Sequence, residues 1–181
     1  MLTSEQKRFL LRLARESIQA KLEKRKIRLN CPEEKIYHQK RGGFVTIHKN
    51  GKLRGCIGYV IPIKSLCETI KEMAIAAAFN DPRFSPLTYD ELDKIEIEIS
   101  VLSELIPVHS IDEIEVGRDG LLMKNGLYSG LLLPQVPIEW NWDKITFLEQ
   151  TCLKAGLNSD CWKNSETEIY RFTAEVFSES K

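Results

Sequence analysis

Leu53-Arg54-Gly55-Cys56-Ile57-Gly58 sets a thiol between two glycines, two residues after an arginine. The reactive form of cysteine is the thiolate, and a nearby guanidinium favours it. Residues two apart on a strand point the same way, so Arg54 is a natural charge partner for Cys56, or an anchor for a carboxylate. Cys56 is therefore the nucleophile candidate of the chain, with Arg54 beside it. A nucleophilic thiol also wants a base. His48 falls on the opposite face in the simplest hairpin register, so a Cys-His dyad needs a bulge at Gly55 or Gly58, or a distant His38 or His109. A second reading needs no chemistry. Cys56 is then a small hydrophobe packed in a strand, and Arg54 pairs with Glu96 or Glu98. Gly55 and Gly58 either admit a ligand or relieve crowding against a helix face at Ala74 and Ala77. Asp81 and Arg83, in Asn80-Asp81-Pro82-Arg83-Phe84-Ser85-Pro86, either orient a substrate or form a helix stop with an internal salt bridge.

The elements around these residues follow from pattern. Thr3 and Gln6 make a capping box, and Phe9, Leu10, Leu13, Ala14, Ser17 and Ile18 recur at helical spacing behind it. Residues 30–43 read as a loop, with Cys31-Pro32 and Gly42-Gly43 as breakers. Phe44 to Lys49 and Lys52 to Val60 flank Asn50-Gly51, the signature of a type I′ hairpin. A two-residue turn pairs His48 with Leu53, Ile47 with Arg54 and Val45 with Cys56. That puts Val45, Ile47, Arg54, Cys56 and Gly58 on one face. Phe44, Thr46, His48, Leu53, Gly55, Ile57 and Tyr59 then take the other, bulkier face toward the core.

Ser65 and Glu68 cap a second helix running to about Phe79, with Ile70, Met73, Ala74 and Ala77 as its buried stripe. Ile95, Ile97, Ile99 and Val101 alternate with Glu96, Glu98 and Ser100, as a half-buried antiparallel strand should. Asn125-Gly126 joins a second hairpin, Leu121 to Lys124 with Leu127 to Leu133. A helix from Asp143 to Ala155 stops at Gly156. A closing strand from Glu168 to Phe177 is expected to bury Tyr170, Phe172, Ala174 and Val176. Hairpins outnumber helix crossovers, which predicts an α+β fold with a mainly antiparallel sheet and packed helices.

The 181 residues suit a single domain, spanning 1–181, with a smaller lobe added to a larger one. Lys+Arg 26 against Asp+Glu 26 leaves no net charge, which argues against nucleic acid as a partner. The basic run from Lys21 to Arg28 reads as a solvated helix end. No signal peptide or long apolar run is present, so a cytoplasmic protein that does not enter membranes is expected. Five cysteines, Cys31, Cys56, Cys67, Cys152 and Cys161, with no CxxC pair, imply free thiols in that setting. His38, His48 and His109 do not group with them, so no metal is expected. No glycine-rich nucleotide fingerprint opens a helix, and no cofactor is indicated.

Several of these segments together resemble the AMMECR family, in particular its prokaryotic branch, AmmeMemoRadiSam system protein A. They are the hexapeptide at 53–58, Asp81-Pro82-Arg83-Phe84 with Pro86, Glu98-Ile99-Ser100-Val101-Leu102, Gly130-Leu131-Leu132-Leu133-Pro134-Gln135-Val136, Trp142-Asp143 with Phe147-Leu148, and Thr151-Cys152-Leu153-Lys154-Ala155-Gly156-Leu157. The resemblance implies a two-lobed α+β fold with the hexapeptide on the larger lobe, and no assigned reaction. It implies ligand or catalytic use of Arg54, Gly55, Cys56 and Gly58. It also implies work beside a Memo-like protein and a radical S-adenosylmethionine enzyme. The chain has no CxxxCxxC cluster motif, so it is not itself the radical enzyme. Two functions stay open: a thiol-dependent enzyme, and a non-catalytic module that binds a protein or a small ligand.

Overall fold

A computed structural model describes residues 1–180. The described chain divides into two compact units, residues 1–102 with 175–180 and residues 103–174. In the first, α1 (Ser4–Leu22) starts at Thr3, whose Oγ1 accepts from the Gln6 amide at 3.2 Å while Gln6 Oε1 accepts from the Thr3 amide at 2.9 Å. The expected stripe from Phe9 to Ile18 is buried. A short helix, α2 (Lys35–His38), interrupts the segment read as loop. Strands β1 (Gly43–Lys49) and β2 (Lys52–Tyr59) form the expected hairpin, with Asn50 at φ 51° and Gly51 at φ 72°. Both angles are left-handed, as a type I′ turn requires. Helix α3 (Leu66–Phe79) carries the Ser65–Glu68 capping box and buries Ile70, Met73, Ala74 and Ala77. A 3-10 turn, Tyr89–Lys94, leads into β3 (Ile95–Leu102).

In the second unit, β4 (Ile106–Pro107), β5 (Gly120–Asn125), β6 (Tyr128–Leu132) and β7 (Glu168–Phe172) form a sheet in the order β4-β7-β5-β6. Between them lie α4 (Val136–Glu139) and α5 (Lys144–Lys154), the latter capped by Asp143 Oδ1 accepting from the Thr146 amide at 2.7 Å. Phe147, Leu148 and Cys152 of α5 pack on Leu121 and Met123 of β5. The last strand, β8 (Ala174–Ser178), returns to the first unit's sheet, whose order is β2-β1-β3-β8. The β1–β2, β1–β3, β4–β7, β5–β6 and β5–β7 pairings are all antiparallel. The fold is α+β.

Three expectations need correction. The closing strand is two strands serving different sheets. The break at Thr173 shifts the side-chain alternation, so Phe172 and Phe177 are buried while Val176 is 46% exposed. The cysteines are not all free. Cys31 bonds to Cys67 across 36 residues and Cys152 to Cys161 across nine, leaving Cys56 alone. Their Cα separations, 6.3 and 5.7 Å, lie in the range that bridged cysteines need, and the fold rather than a spacing motif sets them.

The third correction is the hairpin register. Ile47 pairs with Gly55 rather than Arg54, and Thr46 rather than Val45 pairs with Cys56, because Arg54 is bulged out between the pairs His48–Leu53 and Ile47–Gly55. One extra residue reverses the face of everything beyond it. Val45 and Ile47 are thus buried alongside Gly55 and Ile57, whereas Phe44, Thr46 and His48 lie on the other face with Cys56 and Gly58. His48 therefore shares a face with Cys56.

Candidate functional site

The hexapeptide strand lies where α3 comes closest to the sheet. A Cβ on Gly55 would sit 2.1 Å from the Ala77 carbonyl oxygen, far inside any real contact. One on Gly58 would meet the Phe44 ring at 2.3 Å. Both glycines thus have packing reasons to be glycine, the first because α3 is built on alanine and approaches closely.

Arg54, expected beside the thiol, turns elsewhere. Its Nε and Nη2 donate to Glu91 Oε1 and Oε2 at 3.1 and 2.9 Å. The two side chains are only 13% and 10% exposed. Lys49 Nζ adds a third donor to Glu91 at 2.6 Å, and the Thr88 amide a fourth at 3.1 Å. The Arg54 guanidinium, followed by burial, which opposes it, and then Lys49, holds the Glu91 carboxyl well below the usual carboxylate range. The expected partners Glu96 and Glu98 are not used. Among the described residues Arg54 Nη1 is buried without a hydrogen bond, so this fork ties β2 to Glu91 while both Nη1 donors stay unspent.

The cation beside Cys56 is Arg83. Asp81, 3% exposed, stands at the start of the loop after α3. Its Oδ1 accepts from the Arg83 amide at 3.1 Å and from Arg83 Nε at 3.0 Å. Its Oδ2 accepts from Arg83 Nη2 at 2.7 Å and from the Cys56 amide at 2.9 Å. Arg83 Nη2 also donates to the Cys56 carbonyl at 3.4 Å. Because β2 is the edge of its sheet, these contacts occupy backbone groups of Cys56 that no further strand takes up. The Asp81 carboxyl is held far below its ordinary range, chiefly by the Arg83 side chain and also by the Cys56 amide. Arg83 is pushed up in turn, first by Asp81, and the Cys56 sulfur adds to that push.

Arg83 remains 54% exposed, with its guanidinium 5.5 Å from the Phe84 ring centroid. Its Nη1 has no hydrogen-bond partner among the described residues. Cys56 itself is half-buried, and its Sγ lies 3.1 Å from Thr46 Oγ1. The structure thus gathers Cys56, Asp81 and Arg83 with Thr46, and separates Arg54 from them through Glu91. Sequence reasoning missed both Thr46 and Glu91. Thr46 needed the bulged register. Glu91 had a local signal in Thr88-x-x-Glu91, a capping box whose carboxylate serves the arginine as well.

A two-sheet α+β chain with a glycine-lined edge strand, one free thiol and a carboxylate-held arginine beside it is a definite class of domain. The AMMECR1 family profile matches residues 11–177, and the chain belongs to that family. It is similar to Protein TK0174 of Thermococcus kodakarensis, 47% identical over 94% of this chain and 89% of that protein. Protein MJ0810 of Methanocaldococcus jannaschii is 45% identical over 99% of this chain and 92% of its own length. The crystal structure of uncharacterized protein PH0010 from Pyrococcus horikoshii superposes with a TM-score of 0.84 at 44% identity, covering 94% of this chain and 90% of that one. No helix among the described residues is long and apolar enough to cross a membrane.

Proposed function

We propose that this chain is a binding module that takes an anionic group of a partner protein or small ligand at Arg83, beside Cys56 on the edge of β2. One observation carries the reading: Asp81 fixes three atoms of Arg83 and leaves the exposed Nη1 free. A guanidinium held in place loses less freedom on binding and presents its remaining donors in a set direction. In this reading Gly55 keeps the strand close to α3, and Gly58 makes room for the Phe44 ring on the Cys56 face. Arg54 acts through Glu91 as a positioning residue for the bulge. The Memo-like protein and radical S-adenosylmethionine enzyme expected from the family resemblance are the first partners to try, in the cytoplasm. The two disulfides do not exclude that location, since intracellular proteins of hyperthermophilic archaea form them. Pull-down of these partners with wild type and Arg83→Ala tests the reading. Capture should fall with Arg83→Ala and persist with Cys56→Ser; equal capture by all three proteins defeats it.

A second reading is a thiol-dependent enzyme with Cys56 as nucleophile. Arg83, whose Nη2 reaches the Cys56 carbonyl, would then take the role first expected of Arg54. Because the other four cysteines are bonded, iodoacetamide labelling of the oxidised protein reports on Cys56 alone. Labelling no faster than that of a free thiol across the pH range removes this reading.

A further inference from the structure

A groove of about 810 Å³ runs along the exposed side of α1, over Leu11 and Leu29. Its cationic lining is Arg8, Arg12, Arg15 and Arg28. The chain has ten arginines and sixteen lysines, and this one groove takes four of the arginines and no lysine. Solubility does not explain that choice, because lysine serves it as well. The planar five-donor fork of arginine is suited to gripping phosphate or carboxylate with two bonds at once.

The four are not equivalent. Arg15 is locked: its Nε and Nη2 donate to Glu179 at 2.6 Å each, and its Nη1 and Nη2 reach the Leu92 and Ile95 carbonyls at 2.9 Å. Two of the groove's three carboxylates are likewise spent. Glu179 is held by Arg15, and Glu16 by the Arg25 guanidinium at 2.6 and 3.0 Å and by the Arg28 amide at 2.8 Å. Arg8, Arg12 and Arg28 have no ion pair and no side-chain hydrogen bond among the described residues. Arg8 and Arg12 stand one turn apart, where like charges repel each other on a helix. Only Glu5, in the first turn, remains to balance three free guanidinium groups.

We infer that this groove binds a phosphate-bearing small molecule, with Arg8, Arg12 and Arg28 as its clamps and the locked Arg15 as a fixed wall. The volume suits a compact ligand with an apolar part for Leu11 and Leu29. Three free arginines around one groove of this volume suit a compact anion rather than a nucleic-acid strand, which needs a longer run of phosphate contacts. The site is independent of Arg83.

Calorimetric titration with inorganic tripolyphosphate, citrate and a short single-stranded oligonucleotide tests this. Tripolyphosphate should bind saturably and more tightly than citrate. The double variant Arg8→Ala/Arg12→Ala should weaken it at least tenfold, and Arg8→Lys/Arg12→Lys severalfold, since charge survives but the forks do not. Arg83→Ala should leave it unchanged. Arg8 and Arg12 are exposed, and unchanged unfolding midpoints will show that the variants fold. The inference is overturned if tripolyphosphate gives no saturable binding, if the alanine variant binds as well as wild type, if citrate matches it, or if the oligonucleotide alone binds.

Discussion

Two arginine–carboxylate forks flank β2, and they differ in what surrounds them. Arg54 and Glu91 are both nearly buried, and Lys49 and Thr88 close the cluster. Asp81 is equally buried, but its arginine stands half in solvent with a donor to spare. The first arrangement holds parts of the protein to each other. The second holds a cation out from the protein. The arginine inside the hexapeptide is the conspicuous one in sequence, yet the arginine of the loop after α3 is the one left half exposed.

The contrast is tested most severely by removing each carboxylate. Glu91→Ala strands Arg54 and Lys49, one of them nearly buried, and should cost about 4 kcal/mol. Asp81→Ala frees an arginine that water can solvate and chiefly leaves the Cys56 amide without its acceptor, costing about 2 kcal/mol. Denaturant unfolding of the two variants measures both, and equal losses would erase the distinction. Gly55→Ala comes between them. Its methyl must push Ala77 and the end of α3 away, at about 3 kcal/mol of overpacking.

Acid bears on both forks. Asp81 and Glu91 both have folded-state pKa values depressed below those of the unfolded chain, near ~4. Between the two values the unfolded chain binds more protons, so stability rises with pH. The contribution is complete above the unfolded value and is lost as pH falls toward the folded ones. Asp81→Asn and Glu91→Gln should each flatten the acid limb of a stability profile while leaving its neutral-to-alkaline part parallel to wild type. An unchanged acid slope in both would mean these carboxylates titrate normally.

How much of this was legible in the chain depended on distance along it. The caps at Thr3, Ser65 and Asp143 are local patterns, and the helices they start are where they were expected. The Asn50-Gly51 turn was equally local, but the register beyond it was not. The bulge at Arg54 is tied to Glu91, 37 residues away, and no turn rule contains that contact. The same limit hid the disulfides, whose partners meet only after α3 and α5 have packed. Asp81 and Arg83 were legible as a pair because they are two residues apart, whereas their hold on Cys56, 25 residues back, was not. Local chemistry could be read directly, and what β2 touches had to be seen.

The smallest expected effect discriminates most finely. Arg54→Ala and Arg83→Ala remove the same charge from two different forks beside one strand. If Arg83 rather than Arg54 controls the setting of the thiol, its loss should change iodoacetamide labelling of Cys56 at neutral pH by about threefold, because Asp81 and Arg83 hold the Cys56 amide and carbonyl. Arg54→Ala should leave the neutral-pH rate within the scatter of wild type, since its guanidinium is committed to Glu91. The comparison must be made in mild conditions where both variants are folded, because Arg54→Ala loses a buried tie and Arg83→Ala only a half-exposed one. Arg83→Lys then divides charge from geometry. An ammonium keeps the charge but cannot reproduce the paired Nε and Nη2 bonds to the two Asp81 oxygens. Labelling restored by lysine with partner capture still lost would show that the thiol needs only the charge, while recognition needs the fork.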